Sequence, residues 1–191
     1  MCRPSNREAA VIDRPIVSIR FSAAEIANRV DEMATELAEK LPADTLVVSV
    51  LKGSFVFAAD LIRSLNRAGA DWAMDFLTLS SYGTGSETSG SVRIVRDIVD
   101  EVRGRDVLLV DDILESGLTL EFAKTLILER GASHAWICTL LDKPVKRRAK
   151  IEADFIGFQA GDEFLVGYGL DWAHRFRGLP YIGVVEKQPG E

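Results

Sequence analysis

VLLVDDILESGLTL, residues Val107 to Leu120, changes character twice within one short stretch. The run Asp106 to Val110 reads as a strand, and its apolar part suits burial on both faces, because strands of parallel sheets have no solvent side to alternate toward. It leads into two adjacent carboxylates, Asp111 and Asp112, and then into Glu115-Ser116-Gly117-Leu118-Thr119, where Leu118 opens a helix that runs to Arg130 and is stopped by Gly131. Strand, turn and helix are the unit of α/β sheets, and ligands of such sheets bind beyond the carboxyl ends of the strands. The Ser-Gly-x-Thr turn leaves backbone N–H groups uncovered and adds two hydroxyls at the positive end of a helix, which makes a phosphate cradle. Two carboxylates beside a phosphate would repel it unless they accept hydrogen bonds from sugar hydroxyls or hold a divalent cation. A phosphorylated ribose with Mg²⁺ meets both conditions. Taken alone, the acidic pair also reads as a helix cap with a solvated neighbour, and it is the turn after it that argues for a site.

On the N-terminal side, Ser22-x-x-Glu25 reads as a capping box, followed by Ile26, Val30, Met33, Leu37 and Leu41 at helical spacing up to Pro42. TLVVSVL, from Thr45 to Leu51, predicts a buried strand, Phe55 to Ala68 a helix stopped by Gly69, and Trp72 to Leu79 another strand. Between Ser80 and Ser91, SSYGTGSETSGS holds three Gly, five Ser and two Thr, a composition for a mobile hairpin loop of the kind that serves as a lid. Strands follow at Val92 to Ile98 and, beyond the central motif, at His134 to Leu141. From Ala153 the pattern shortens to strands near Phe155 to Phe158, Phe164 to Tyr168 and Tyr181 to Val185, read as a small subdomain. The expected fold class is α/β, a largely parallel central sheet flanked by helices.

Composition narrows the function. The 191 residues carry 23 Lys+Arg against 29 Asp+Glu, a net charge of −6, with 47% hydrophobic residues, which suits one compact unit of residues 1–191. An acidic chain without a long basic stretch is not expected to bind nucleic acid or a membrane surface. Two Cys, Cys2 and Cys138, and two His exclude a disulfide framework or structural zinc site and fit a reducing cytoplasm. Residues 1–15 lack the apolar stretch of a signal peptide and read as a frayed start. By itself Lys143 also reads as part of a solvated basic patch with Lys146, Arg147, Arg148 and Lys150.

The central motif resembles the 5-phosphoribosyl-1-pyrophosphate (PRPP) binding motif of the type I phosphoribosyltransferases. Leu51-Lys52-Gly53 after the first predicted buried strand, Ser81-Tyr82 at the loop, Leu141-Asp142-Lys143 and DEFLVGYGLDWAHRFRGLPYIGVV from Asp162 to Val185 extend that resemblance, in order, from about residue 45 to 185. Together they are similar to the hypoxanthine-guanine branch of the family. The resemblance implies the type I phosphoribosyltransferase fold with a small hood subdomain, transfer of phosphoribose from PRPP to a 6-oxopurine, Mg²⁺ as cofactor, and a homodimer or homotetramer.

By the same resemblance, Glu115, Ser116, Gly117, Leu118 and Thr119 would wrap the 5-phosphate, and Asp111 and Asp112 would face the ribose hydroxyls and metal. Lys52, in a loop whose Leu51–Lys52 peptide is cis in the family, would meet the pyrophosphate with Gly53 and Arg177. Lys143 would donate to the oxygen at purine position 6, Phe164 would stack on the base and the Leu165 backbone would pair with its edge. Asp171 would ligate Mg²⁺, and Ser81 and Tyr82 would close over the site. At position 115 the family usually has Asp, the presumed acid or base at purine N7; Glu115 keeps the carboxylate and adds a methylene. That departure leaves open a regulatory or weakly catalytic homologue that binds PRPP or a nucleotide; separately, an enzyme preferring xanthine or guanine is a third reading.

Overall fold

The protein is described by a computed structural model covering residues 17–82 and 91–186; the predicted frayed start and the middle of the predicted lid lie outside these residues. The order of elements is β1 (Val17–Phe21), α1 (Ala23–Lys40), β2 (Leu46–Leu51), α2 (Phe55–Arg67), β3 (Met74–Tyr82), β4 (Ser91–Arg96), β5 (Asp106–Leu114), α3 (Leu118–Glu129), β6 (His134–Asp142), β7 (Phe155–Gln159), β8 (Leu165–Val166) and β9 (Ile182–Val185). The helix α1 starts as its sequence predicts. Ser22 Oγ accepts from the Glu25 N–H at 3.3 Å while the Glu25 carboxylate accepts from the Ser22 N–H at 2.8 Å, so two otherwise orphaned donors are satisfied reciprocally.

Six strands form the main sheet in the order β4-β3-β2-β5-β6-β7, all parallel except β4, which returns antiparallel to β3. Successive residues of β2 and β5 are assigned to opposite faces. Val47, Leu108 and Val110 pack with Met33, Leu37, Phe57 and Leu61 of α1 and α2, whereas Leu46, Val48, Val107 and Leu109 pack with Leu120, Ala123 and Ile127 of α3. Helices on both faces explain why these strands are uninterruptedly apolar: each face needs its own half of the residues. After β2 the chain turns toward β3, and after β5 it turns the other way toward β6. The neighbouring carboxyl ends of β2 and β5 are therefore the point where the strand order reverses, and there the crossovers leave a crevice.

Two sequence expectations need correction. The strand β7 does not belong to the small subdomain; it pairs parallel with β6, Cys138 opposite Phe155, and completes the main sheet. The hood is instead a three-stranded antiparallel sheet, β1-β9-β8, to which the start of the described chain contributes β1. Val17, Ile19 and Phe21 alternate with polar residues as a strand requires, but five residues make a short signal and Ile19 stays exposed. Its anchor is Phe21, which stacks on Phe158 of β7 with ring centroids 4.4 Å apart. No helix of the described residues is long and apolar enough to cross a membrane.

Leu108 is 0% exposed at the centre of β5. Leu108→Ala is expected to cost ~2–5 kcal/mol, seen as a lower urea midpoint at unchanged slope, while Val99→Ala, at an exposed site, should stay within about 0.5 kcal/mol.

Candidate active site

The acidic pair lies further inside the sheet than its sequence suggests, because β5 continues through Asp111 and Asp112 to Leu114, with Asp111 paired to Thr139 and Leu114 to Asp142 of β6. Both carboxyls are consequently buried, at 8% residue exposure each, and the Asp112 N–H donates to Asp111 Oδ1 at 3.0 Å. Burial, and for Asp111 the adjacent Asp112 charge, hold both groups above the ordinary carboxylate range, Asp111 well above it; a hydrogen bond with the Asp111 carboxyl, nearby backbone N–H groups and, least, the Arg177 guanidinium pull Asp112 partly back. Two adjacent buried carboxyls are expensive in a fold even when bonded to each other, and further hydrogen-bond donors or a cation from a ligand would relieve them.

Directly above the pair lies the β2–α2 loop. Its Leu51–Lys52 peptide is cis, as the resemblance implied, and Lys52 is exposed. Glycine is required at position 53 because a Cβ there would stand 1.8 Å from Asp112 Oδ2. A cleft of about 310 Å³ opens at this point, lined by Lys52 and Gly53 on one side and by Asp111, Asp112, Glu115 and Thr119 on the other.

The third part is the turn into α3. Gly117 caps the helix at φ 82°, a left-handed conformation suited to glycine, and a Cβ on it would sit 2.7 Å from Ile151 Cγ2. Among the described residues, no protein group accepts from the backbone N–H groups of Glu115, Ser116, Gly117, Leu118 or Thr119. These donors, at a helix N-terminus, form an anion-binding edge of the cleft.

Lys143 follows β6 and is 4% exposed, its ammonium donating to the Glu163 carbonyl at 3.0 Å and paired with Glu115 Oε1 at 2.9 Å. It thereby joins the sheet to the hood at Glu163, next to the half-exposed ring of Phe164 and the start of β8 at Leu165. Asp171 pairs with Arg177 at 2.5 Å and accepts from the His174 N–H at 2.8 Å, and Arg177 also donates to the Gly169 carbonyl. Ser81 and Tyr82 end β3 opposite Val92 and Ser91; the loop they open lies outside the described residues. Among the described residues no three His, Cys, Asp or Glu side chains converge, so Asp171 does not join Asp111 and Asp112 in one preformed metal cage.

Two features were not legible in the sequence. Arg147 is not part of a solvated basic patch: its guanidinium is mostly buried and bonded to the backbone behind the α3 turn and to Asp142. Tyr168, at φ 50°, donates its hydroxyl to Asp60 at 2.6 Å and so braces the segment carrying Asp171 against α2; burial, and then the Asp60 carboxylate, push the phenol up.

Comparison with known proteins gives the family. The phosphoribosyl transferase domain family matches residues 22–172. A Bacillus subtilis protein named hypoxanthine-guanine phosphoribosyltransferase is 46% identical over 173 residues, covering 90% of this chain and 94% of its own length. The chain belongs to the phosphoribosyltransferase family. Within the family, a hypoxanthine phosphoribosyltransferase of Escherichia coli K12 is 42% identical, covering 88% of this chain and 95% of its own. The solved structure of a hypoxanthine phosphoribosyltransferase from Staphylococcus aureus superposes with a TM-score of 0.85 at 36% identity, covering 94% of this chain and 96% of its own. This phosphoribosyltransferase thus shares its relatives' framework over nearly the whole chain.

The acidic pair has a consequence for stability. A carboxyl raised in the fold binds more protons folded than unfolded, so its contribution is present at low pH and lost as pH climbs from the ordinary carboxylate range through the raised value. Asp111→Asn removes that loss. The ligand-free variant is expected to melt above the parent at neutral pH, with the gap closing below about pH 4. Equal melting temperatures at both pH values would show that the pair is not strained.

Proposed function

We propose that this phosphoribosyltransferase carries the 5-phosphoribosyl group of PRPP to a ring nitrogen of hypoxanthine, and of guanine, releasing pyrophosphate and forming the nucleoside monophosphate. The observation that carries the proposal is the convergence on one cleft of the Lys52–Gly53 loop, the Asp111–Asp112 pair and the Glu115–Thr119 turn. Relatives named for hypoxanthine and guanine transfer support the choice of base.

In this reading the bond from ribose C1 to the pyrophosphate oxygen breaks as the bond from C1 to the purine nitrogen forms, and the sugar passes through an oxocarbenium-like state. The protein acts by placing charge and excluding water more than by bonding. The N–H groups of Glu115 to Thr119 hold the 5-phosphate, and Asp111 and Asp112 accept from the ribose hydroxyls. Lys52 and Arg177 receive the departing pyrophosphate. Lys143, a donor-only cation, selects an oxygen at purine position 6 over the amino group of adenine, with Phe164 against the ring and Leu165 at its edge.

The available metal donors are carboxylate oxygens on separate elements, Asp171 and the Asp111–Asp112 pair, an oxygen-only set that suits Mg²⁺ arriving with the phosphates. Bound there, the ion would neutralise charge gathering on pyrophosphate.

Glu115 takes the proton-transfer role at purine N7. Its carboxylate rests on Lys143 in the free protein, so the base must part that ion pair on entering. The same contact favours a second reading, a PRPP-binding homologue with feeble catalysis. Steady-state assays with PRPP, Mg²⁺ and each of hypoxanthine, guanine, xanthine and adenine separate the two. The expected result is turnover of hypoxanthine and guanine, none of adenine, and loss of activity in excess EDTA. Turnover with none of the bases overturns the enzyme reading. Glu115→Gln should lower kcat for hypoxanthine by ~10²-fold, and an unchanged kcat would remove Glu115 from the chemistry.

A further inference from the structure

We propose that Arg147, remote from the reacting atoms, is a positioning residue that shapes the phosphate-binding turn from behind; this rests on the reading of Glu115 to Thr119 as that turn. A peptide that points its N–H toward an anion points its carbonyl the opposite way, and a carbonyl turned into the protein must find a donor there. Every carbonyl from Leu114 to Gly117 has one. Leu114 O accepts from the Lys143 N–H at 3.0 Å and from Arg147 Nη2 at 3.0 Å, and Glu115 O accepts from Arg147 Nε at 3.0 Å. Ser116 O accepts from the N–H groups of Arg148 and Ala149 at 2.9 and 3.0 Å, and Gly117 O from that of Glu121 at 2.9 Å.

One of these carbonyls, Glu115 O, has only the Arg147 side chain as its donor, and Leu114 O shares that side chain with the Lys143 N–H. The Arg147 guanidinium is a planar fork of five donors that cannot be deprotonated, and here four of the five are engaged. Besides Leu114 O and Glu115 O, it donates from Nη1 to Ile151 O at 2.7 Å and from Nη2 to the Asp142 carboxylate, which also accepts from Gln159 Nε2 at 3.1 Å. Its side chain is 16% exposed and that of Asp142 12%. Arg147 thus ties the turn after β5 to the end of β6, one residue before Lys143, and to the segment entering β7. The aliphatic part contributes as well: a Cβ on Gly117 would be 3.0 Å from Arg147 Cδ, so the side chain forms the floor under the turn.

Lysine at this position keeps the charge and can pair with Asp142, but a single ammonium cannot reproduce the fork across two successive carbonyls. The phosphate end should loosen while the base end, held by Lys143 and the hood, stays in place. The test compares the parent, Arg147→Lys, and the charge-neutral double variant Arg147→Gln/Asp142→Asn, which leaves no buried carboxylate unpaired. KM is measured for PRPP and for hypoxanthine, and the affinity for ribose 5-phosphate by calorimetry without turnover. Expected is a roughly tenfold rise in KM for PRPP and in the dissociation constant of ribose 5-phosphate, with KM for hypoxanthine within about twofold. An unchanged ribose 5-phosphate affinity, or equal rises in both KM values, overturns the assignment. A parent that turns over no base overturns the proposed function instead, and the ribose 5-phosphate arm still decides the role of Arg147.

Discussion

A peptide group has two polar ends, and a turn that offers its N–H groups to an anion has to bury its carbonyls somewhere. Much of the site follows from that requirement. The turn at Glu115 to Gly117 is backed by the segment from Lys143 to Ala149, whose backbone and Arg147 side chain accommodate the rear-facing carbonyls. The same segment begins with the lysine proposed to choose the base. Phosphate end and base end are therefore built on one stretch of chain, held at a fixed separation by the pairing of β5 with β6.

Charge is the second constraint. The chain carries −6 overall, yet its proposed substrate is a polyphosphate. Attraction has to be local, from N–H groups at a helix start and from Lys52, Lys143 and Arg177. Asp111 and Asp112 work against it at short range, buried side by side at the end of an otherwise apolar strand. Their placement is unfavourable in the free protein and becomes useful only when sugar hydroxyls or a cation arrive, the usual conflict between stability and function at a binding site. Glu115 adds a particular feature of this chain, a carboxylate long enough to rest on Lys143.

The parts of the fold that the sequence revealed are those governed by local rules. The Ser22–Glu25 capping box, the apolar runs of β2 and β5 and the glycine stops at Gly69 and Gly131 each need only a few neighbouring residues to be read. The hood strand β1 is hard to read because it is only five residues long and its pairing with β9 is a contact between distant parts of the chain. Membership of β7 in the main sheet was missed because parallel pairing leaves no turn signal. In the site, residue types and order were legible as a family pattern, whereas Arg147 was not. Four cations within five positions look alike in sequence, and only the fold shows which of them turns inward.

The most direct measurement is a crystal structure of the protein with inosine 5′-monophosphate. The account predicts the phosphate within hydrogen-bond distance of the N–H groups of Ser116 to Thr119, the ribose hydroxyls on Asp111 and Asp112, and the purine oxygen on Lys143, with Glu115 displaced from that lysine. A phosphate seated elsewhere, or a base bound away from Lys143 while the Glu115 ion pair stays intact, would contradict it.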